Sequence, residues 1–165
     1  MALTAMLTAL SLVLLYGASL APSGRLGLTA AAGLLPAAAV VSCGMAAGFF
    51  CYGGTGLLAL LLLADKNIAL FYLMFFGLYP MVKGLTERTG KRVVEWIGKL
   101  AFFNAALTLA LWLFRALFLT RFPQLDGAVW LAYLAGNLVF LAYDFGFSKV
   151  IALYQNRIAK VLRNG

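Results

Sequence analysis

The feature that most constrains this sequence is a long stretch without charge. No Asp, Glu, Lys, Arg or His stands between Arg25 and Asp65. As one helix rising about 1.5 Å per residue, this stretch would be about twice as long as a roughly 30 Å hydrocarbon core is thick. It therefore folds back once in an apolar environment, and Ser42, Cys43 and Gly44 mark the predicted turn.

The composition of the whole chain agrees with a membrane location. Apolar residues make up 64% of the chain and charged residues 11%, with a mean hydropathy of +0.98, against roughly 45–50% and about 25% in soluble domains. A water-soluble fold is excluded. We predict an all-α integral membrane protein, a single transmembrane domain over residues 1–165. Its six transmembrane helices are predicted at 3–21, 26–42, 44–63, 67–85, 95–119 and 128–154.

The segments between and beyond these helices are polar or contain helix breakers. Residues 120–127 are expected to form a loop and residues 155–165 a short basic tail, and Pro36 is expected to bend or loosen the second helix. The first segment is read as a retained helix, because a cleaved secretory signal needs leading positive charge and no Lys or Arg precedes Arg25.

The positions of Lys and Arg predict the orientation in the membrane, because cytoplasmic loops carry the excess of positive charge. Four basic residues flank one loop and three stand in the tail: Lys83, Arg88, Lys91 and Arg92, then Arg157, Lys160 and Arg163. Both groups fall on the same side, so both termini are predicted to be cytoplasmic, in a bacterial plasma membrane. The net charge of +8 then reflects contact with lipid headgroups and not nucleic-acid binding.

The residues of this chain give little indication of catalysis or metal binding. The chain has no histidine, which removes the commonest general base and a common metal ligand. Its two cysteines, Cys43 and Cys51, are read as small packing residues. No phosphate-binding glycine loop of the Walker type occurs. We therefore expect no enzyme activity, no cofactor and no metal site.

Small residues at helical spacing mark the first half of the chain. The pairs are Ala5 with Ala9, Gly27 with Ala31, Gly33 with Ala37, and Gly44 with Gly48. Such pairs let helix backbones approach closely in lipid, where no hydrophobic force brings helices together. Each pair is explained by packing within this chain or by contact with a partner.

Polar residues concentrate on two helix faces in the second half. Asn104, Thr108 and Arg115 share a face of the fifth helix, and Tyr133, Asn137 and Asp144 share a face of the sixth. Polar groups in hydrocarbon are costly, so both faces are predicted to point into the bundle. Depth along the helices places Asp144 level with Lys83, and we predict a structural ion pair between them, with a functional role as the alternative.

Arg115 lies near the other end of the fifth helix, and two explanations of it stay open. It could line an outward-facing pocket in which a cation and aromatic rings receive a flat or anionic ligand. It could equally extend to outer lipid headgroups beside an aromatic belt. The residues that would share the pocket are Trp112, Trp130, Tyr133 and Asn137.

The chain resembles the substrate-binding S components of energy-coupling factor (ECF) vitamin transporters. The likeness covers the whole chain and rests on size, on six helices with both termini inside, and on Ala5 and Ala9, which match the family's Ala-x-x-x-Ala pattern on the first helix.

The resemblance implies uptake of a small vitamin-like nutrient, energised by partners. Ala5 and Ala9 would contact a membrane coupling protein, the T component, and two ATPase subunits would supply the energy. The ligand would bind near the outer face, among the loop after the first helix and helices four to six. The implied ligand contacts are Asn67, Tyr72, Trp112, Arg115, Trp130, Tyr133 and Asn137.

Two other classes of protein stay open as alternatives. One is a six-helix membrane scaffold of the cell envelope similar to the cell-shape factor MreD, in which the polar residues only hold helices together. The other is a stand-alone carrier coupled to an ion gradient. It is the weaker alternative, because only Asp144 lies deep enough to titrate and Lys83 is expected to neutralise it.

Overall fold

The fold is an all-helical bundle. The computed structural model describes residues 2–88, 90–118 and 129–164, apart from the side chains of residues 114–118, 129 and 158–164. Within the described residues, six helices are long and apolar enough to cross a membrane. This is the architecture of a multi-pass membrane protein. The helices are α1 (Ala2–Leu20), α2 (Arg25–Cys43), α3 (Met45–Leu62), α4 (Lys66–Glu87), α5 (Arg92–Phe118) and α6 (Val129–Asn164).

The observed helix ends lie within a few residues of the predicted ones, with one exception. Helix α6 continues to Asn164, so the prediction of a separate tail from residue 155 was wrong. No Gly or Pro stands between Gly146 and Gly165 to end the helix earlier. Helix α2 continues through the buried Pro36. The predicted loop at 120–127 lies outside the described residues.

The turn between α2 and α3 consists of a single residue. Gly44 has φ 92°, a conformation that L residues with a side chain rarely adopt. Its N–H donates to the Val40 carbonyl at 3.0 Å. The predicted turn at Ser42, Cys43 and Gly44 therefore occurs, and only glycine fits its last position without strain.

Helices α1, α2 and α3 pack around small and hydroxyl side chains. The Ser11 hydroxyl of α1 donates to the Ala32 carbonyl of α2 at 3.1 Å, and the Thr55 hydroxyl of α3 donates to the Thr8 carbonyl of α1 at 3.4 Å. Such contacts hold helices together in lipid. The fully buried residues of this core include Leu15, Ala18, Ala32, Ala59, Ala69 and Tyr72.

Helix α4 connects this three-helix unit to α5 and α6, and it is irregular at its centre. A π-helical turn covers Tyr72–Phe76, and the Gly77 N–H donates to the Tyr72 carbonyl at 2.7 Å. Pro80 has no N–H to donate to the Phe76 carbonyl four residues earlier. That carbonyl lies against Gly33 of α2, where a methyl group on Gly33 would come within 2.9 Å of its carbon.

The contact between Gly33 and Phe76 gives a test of the packing. Gly33→Ala puts a methyl group against rigid backbone, so we expect a loss of about 1–3 kcal/mol in the free energy of unfolding. Gly27→Ala on the same helix is the control, because no atom of the described residues would lie within 4 Å of a methyl group there. Unfolding by SDS in mixed micelles measures both. Equal stability of the two variants would contradict the close approach of α2 and α4.

Candidate functional site

A cavity of about 490 Å³ lies between α2, α4, α5 and α6. It occupies the half of the bundle that contains the Arg25 end of α2. In the other half α2 and α6 are in contact, since the hydroxyls of Ser42 and Tyr154 lie 2.9 Å apart. Helices α2 and α6 therefore meet near one end of the bundle. The cavity lies between them nearer the opposite end.

The walls of the cavity are apolar and consist of aromatic rings, aliphatic side chains and small residues. Helix α4 presents successive aromatic residues to the cavity because its π turn shifts the helical register by one residue. Pro80 and the close contact with Gly33 accompany this turn. The described lining residues are Leu26, Gly27, Ala30, Phe71, Met74, Phe75, Phe76, Phe103, Ala106, Leu107, Ala110, Ala135, Gly136, Val139, Phe140 and Tyr143.

An aromatic layer lies at the end of the cavity that is away from Arg25, and eight described rings form it: Phe75, Phe76, Tyr79, Phe102, Phe103, Phe140, Tyr143 and Phe147. The rings of Phe103 and Phe140 stack with centroids 4.6 Å apart, and Phe75 stacks on Tyr79 at 5.6 Å. Each such pair contributes about 0.5–1.5 kcal/mol beyond the burial of its area. The layer separates the cavity from the polar groups beyond it.

Beyond the aromatic layer lies an ion cluster of five charged residues: Lys83, Glu87, Glu95, Lys99 and Asp144. The Lys83 ammonium lies 2.7 Å from Asp144 Oδ1 and 2.7 Å from Glu87 Oε1. The Lys99 ammonium lies 3.0 Å from Glu87 Oε1 and 3.5 Å from Asp144 Oδ2. The cluster therefore joins α4, α5 and α6.

Burial makes this cluster costly to disrupt. The side chains of Lys83, Lys99 and Asp144 are only 5%, 2% and 7% exposed. An unpaired charge in such a place costs several kcal/mol, and each of these three has more than one partner. Asp144 also accepts a hydrogen bond from the Tyr79 hydroxyl, and the Ser148 hydroxyl lies 2.8 Å from the Lys83 ammonium.

The predicted partners Lys83 and Asp144 thus form an ion pair, and the prediction missed three other members of the cluster. Glu87, Glu95 and Lys99 were not singled out. A signal for them exists in the sequence, because Lys83 with Glu87 and Glu95 with Lys99 stand four residues apart, the spacing at which side chains meet on a helix.

Two predicted ligand contacts take part in hydrogen bonds between α5 and α6. The side-chain amides of Asn104 and Asn137 bond reciprocally, both at 3.1 Å. The hydroxyls of Thr108 and Tyr133 lie 2.7 Å apart. The two polar helix faces therefore meet each other. Tyr133 and Asn137, together with Trp130, also line a shallow surface groove along α6. This groove is separate from the cavity.

The other predicted ligand contacts are scattered. Trp112 is 65% exposed and Trp130 is 63% exposed, whereas Tyr72 is fully buried among α1, α3 and α4. Asn67 is exposed in the first turn of α4, where its N–H donates to Asp65. The Arg115 side chain lies outside the described residues. None of the six predicted contacts whose side chains are described lines the cavity.

The two residues predicted to contact a partner, Ala5 and Ala9, lie on an exposed face of α1. Neighbouring Met6 and Leu10 are 69% and 50% exposed. The opposite face, with Thr4, Ser11 and Leu15, is buried against the rest of the bundle. Ala5 and Ala9 are therefore accessible to lipid or to another protein.

Comparisons of the chain with protein families, with curated proteins and with solved structures find no match. The architecture defines its class as that of a multi-pass membrane protein, and the function has to be argued from the cavity, the aromatic layer and the ion cluster.

The ion cluster gives a test of its contribution to stability. Asp144→Asn keeps the shape but removes the charge that both lysines share. Loss of one partner of a buried pair costs about 3–5 kcal/mol. We expect Asp144→Asn to lower the free energy of unfolding in SDS by about 3 kcal/mol. The loss is at the low end of the range because both lysines keep Glu87 as a partner.

Arg25→Gln is the matched control. It removes the partner of Asp65 in a pair whose side chains are 47% and 25% exposed, and exposed pairs contribute about 1 kcal/mol or less. If Asp144→Asn is no less stable than Arg25→Gln, the cluster does not hold α4, α5 and α6 together.

Proposed function

We propose that this chain is the membrane-embedded substrate-binding subunit of an uptake system for a small nutrient, of the kind that ECF S components represent. The observation that carries the proposal is the cavity of about 490 Å³ among four helices. Its size lies within the range of about 300–1,000 Å³ typical of small-molecule sites, and sites between the helices of a bundle are common.

The orientation predicted from Lys and Arg supports uptake. With the Glu87 and Arg92 ends of α4 and α5 in the cytoplasm, the cavity belongs to the outer half of the bundle. The aromatic layer and the ion cluster then lie between the cavity and the cytoplasm. A subunit that captures a solute from outside needs this arrangement, because a site open to both sides of the membrane would let solutes cross freely.

Coupling to an energy source is proposed to occur through α1. Ala5 and Ala9 leave a shallow, accessible strip on this helix, and small residues permit close helix contact in membranes. The coupling protein would contact this strip, and two ATPase subunits outside this chain would supply the energy.

The ion cluster argues against a carrier driven by an ion gradient. Such a carrier needs a deep carboxylate that changes its protonation or binds a cation during transport. Asp144 lies within ion-pair distance of both Lys83 and Lys99. Two neighbouring ammonium groups balance the charge of Asp144 and repel a cation, so the cluster is better suited to holding helices together than to coupling transport to an ion.

Mass spectrometry tests the proposal directly. The protein is purified gently from its native host, released small molecules are identified, and copurifying proteins are analysed in the same sample. We expect a stoichiometric small molecule together with ATPases and a membrane coupling protein. An empty protein accompanied by cell-envelope assembly proteins would instead identify a scaffold.

A variant of the cavity wall tests where the ligand binds. Ala106→Phe places a ring in the cavity and should lower the amount of copurified ligand at least tenfold. Ala105→Phe is the matched control, since Ala105 is exposed on the same helix and does not line the cavity. Equal ligand content in both variants would place the site elsewhere, for example at the predicted contacts near Arg115.

A variant of α1 tests the partner strip. Ala9→Phe puts a bulky ring on the exposed face of α1 and should abolish copurification of the coupling protein and ATPases while ligand content stays unchanged. Ala101→Phe, on the exposed face of α5, is the control and should retain the partners. Retention of partners by Ala9→Phe would show that they bind elsewhere.

A further inference from the structure

The positive charges at the ion-cluster end of the bundle fall into two groups. Lys83 and Lys99 are buried and paired with carboxylates. Four more border the cluster, are exposed, and form what we call the basic rim: Arg88, Lys91, Arg92 and Lys149. None of the four lies within ion-pair distance of a carboxylate among the described residues.

The ion cluster explains why the basic rim has no counter-charge within the described chain. The three carboxylates of the cluster are shared between its two lysines, which leaves one negative charge in excess against the four positive charges of the rim. Asp65 pairs with Arg25 at the other end of the bundle, and Asp126 lies outside the described residues. The rim is therefore suited to bind anions from outside the chain.

The members of the basic rim lie at nearly one level along the bundle axis. Helices α4 and α6 run in the same direction and meet at Lys83 and Asp144. Arg88 follows Lys83 by five residues, and Lys149 follows Asp144 by five. At about 1.5 Å per residue, both lie about 8 Å beyond the ion cluster. The other two rim residues come directly after Arg88, in the turn and at the first residue of α5.

Exposed apolar side chains adjoin the basic rim on two helices. Lys149 stands between Phe145 and Leu153, which are both 67% exposed and lie one turn to either side of it on the same face of α6. On α5, Val93 directly follows Arg92 and is 70% exposed. Apolar surface of this kind marks contact with a membrane or a protein. Since the same helices span the membrane, the rim lies at the boundary between hydrocarbon and headgroups.

Lys149 shows what this position requires. Its ammonium lies 5.1 Å from the centroid of the Phe145 ring and has no carboxylate partner among the described residues. A cation next to hydrocarbon loses part of its hydration, which is costly unless an anion compensates. At the level of the headgroups, the phosphate of a lipid is the anion within reach.

We propose that the basic rim is a binding site for anionic phospholipid, whose phosphate contacts Lys149 and the cations of the turn between α4 and α5. The acyl chains lie along the exposed apolar residues beside the rim. These residues favour a lipid over an acidic protein surface, which would approach through water. A zwitterionic lipid binds less well, because its headgroup brings its own positive charge. The site stands on charge and depth alone and does not depend on the proposed uptake function.

Quenching of Trp96 fluorescence by brominated lipids tests the proposal on the full chain in vesicles. Trp96 is exposed one turn after Arg92, and its ring centroid lies 5.8 Å from the Lys99 ammonium. Trp112→Phe and Trp130→Phe leave Trp96 as the only tryptophan. Brominated phosphatidylglycerol mixed with phosphatidylcholine, and the converse mixture, give the relative affinity of the two lipids for the surroundings of Trp96. We expect at least a fivefold preference for phosphatidylglycerol at low salt, since one surface cation contributes about 1 kcal/mol.

Substitutions in this background identify the binding residues. Lys149→Gln should lower the preference at least twofold, and replacement of all four rim residues by Gln should make the two lipids equal. Arg25→Gln is the matched control and should keep the full preference, because Asp65 already balances that charge. A preference that is unchanged when all four rim residues are Gln would overturn the proposal.

A salt titration tests the same point without any substitution in the rim. Screening shortens the reach of a charge from about 10 Å at 0.1 M salt to about 3 Å at 1 M, so high salt should remove the preference for phosphatidylglycerol. A preference that persists at high salt would overturn the proposal. Equal affinity of the two lipids already at low salt would also overturn it and would leave an acidic protein surface as the partner of the rim. The vesicles contain no nutrient and no other protein, so failure of the uptake function leaves these results unaffected.

Discussion

The ion cluster between α4, α5 and α6 is the interaction on which the rest of this bundle depends. Inside a membrane no hydrophobic force draws helices together, so association relies on close packing and on polar contacts. Lys83, Lys99 and Asp144 are nearly inaccessible, and Asp144 on α6 finds its two ammonium partners on α4 and on α5. The cluster therefore fixes α5 and α6 against α4 at one end, and Asn104 with Asn137 and Thr108 with Tyr133 join α5 to α6 towards the other.

The position of the cavity follows from this arrangement together with the close approach of α2 to α4. Gly33 brings α2 against the Phe76 carbonyl, and Ser42 with Tyr154 connects α2 to α6 near the same end as the ion cluster. With contact between α2 and α6 made at that end, α2 lies apart from the joined pair α5 and α6 towards the other end, and the cavity occupies the space between them. The π turn of α4 directs Phe75 and Phe76 to the base of this space. The aromatic layer thus forms a boundary between an apolar cavity and a polar cluster.

The helices could be predicted from the sequence because their cause is local. Uncharged stretches of membrane length and helix breakers such as Gly44 are visible along the chain, and so is the depth relation that paired Lys83 with Asp144. The cavity could not be predicted, because it depends on which faces of four helices turn towards one another. Polar residues inside the membrane predict a functional site. Asn104, Thr108, Tyr133 and Asn137 instead satisfy one another between α5 and α6, and the cavity is lined by Phe, Ala and Gly.

The central claim is that the cavity among α2, α4, α5 and α6 binds a small molecule. A crystal structure of the protein purified from its native host tests this claim most directly, through the electron density between Phe103, Phe140 and Ala106. We predict density for one small molecule in contact with these residues and ending above the aromatic layer. An empty cavity, or a lipid chain that enters it from the bilayer, would contradict the claim.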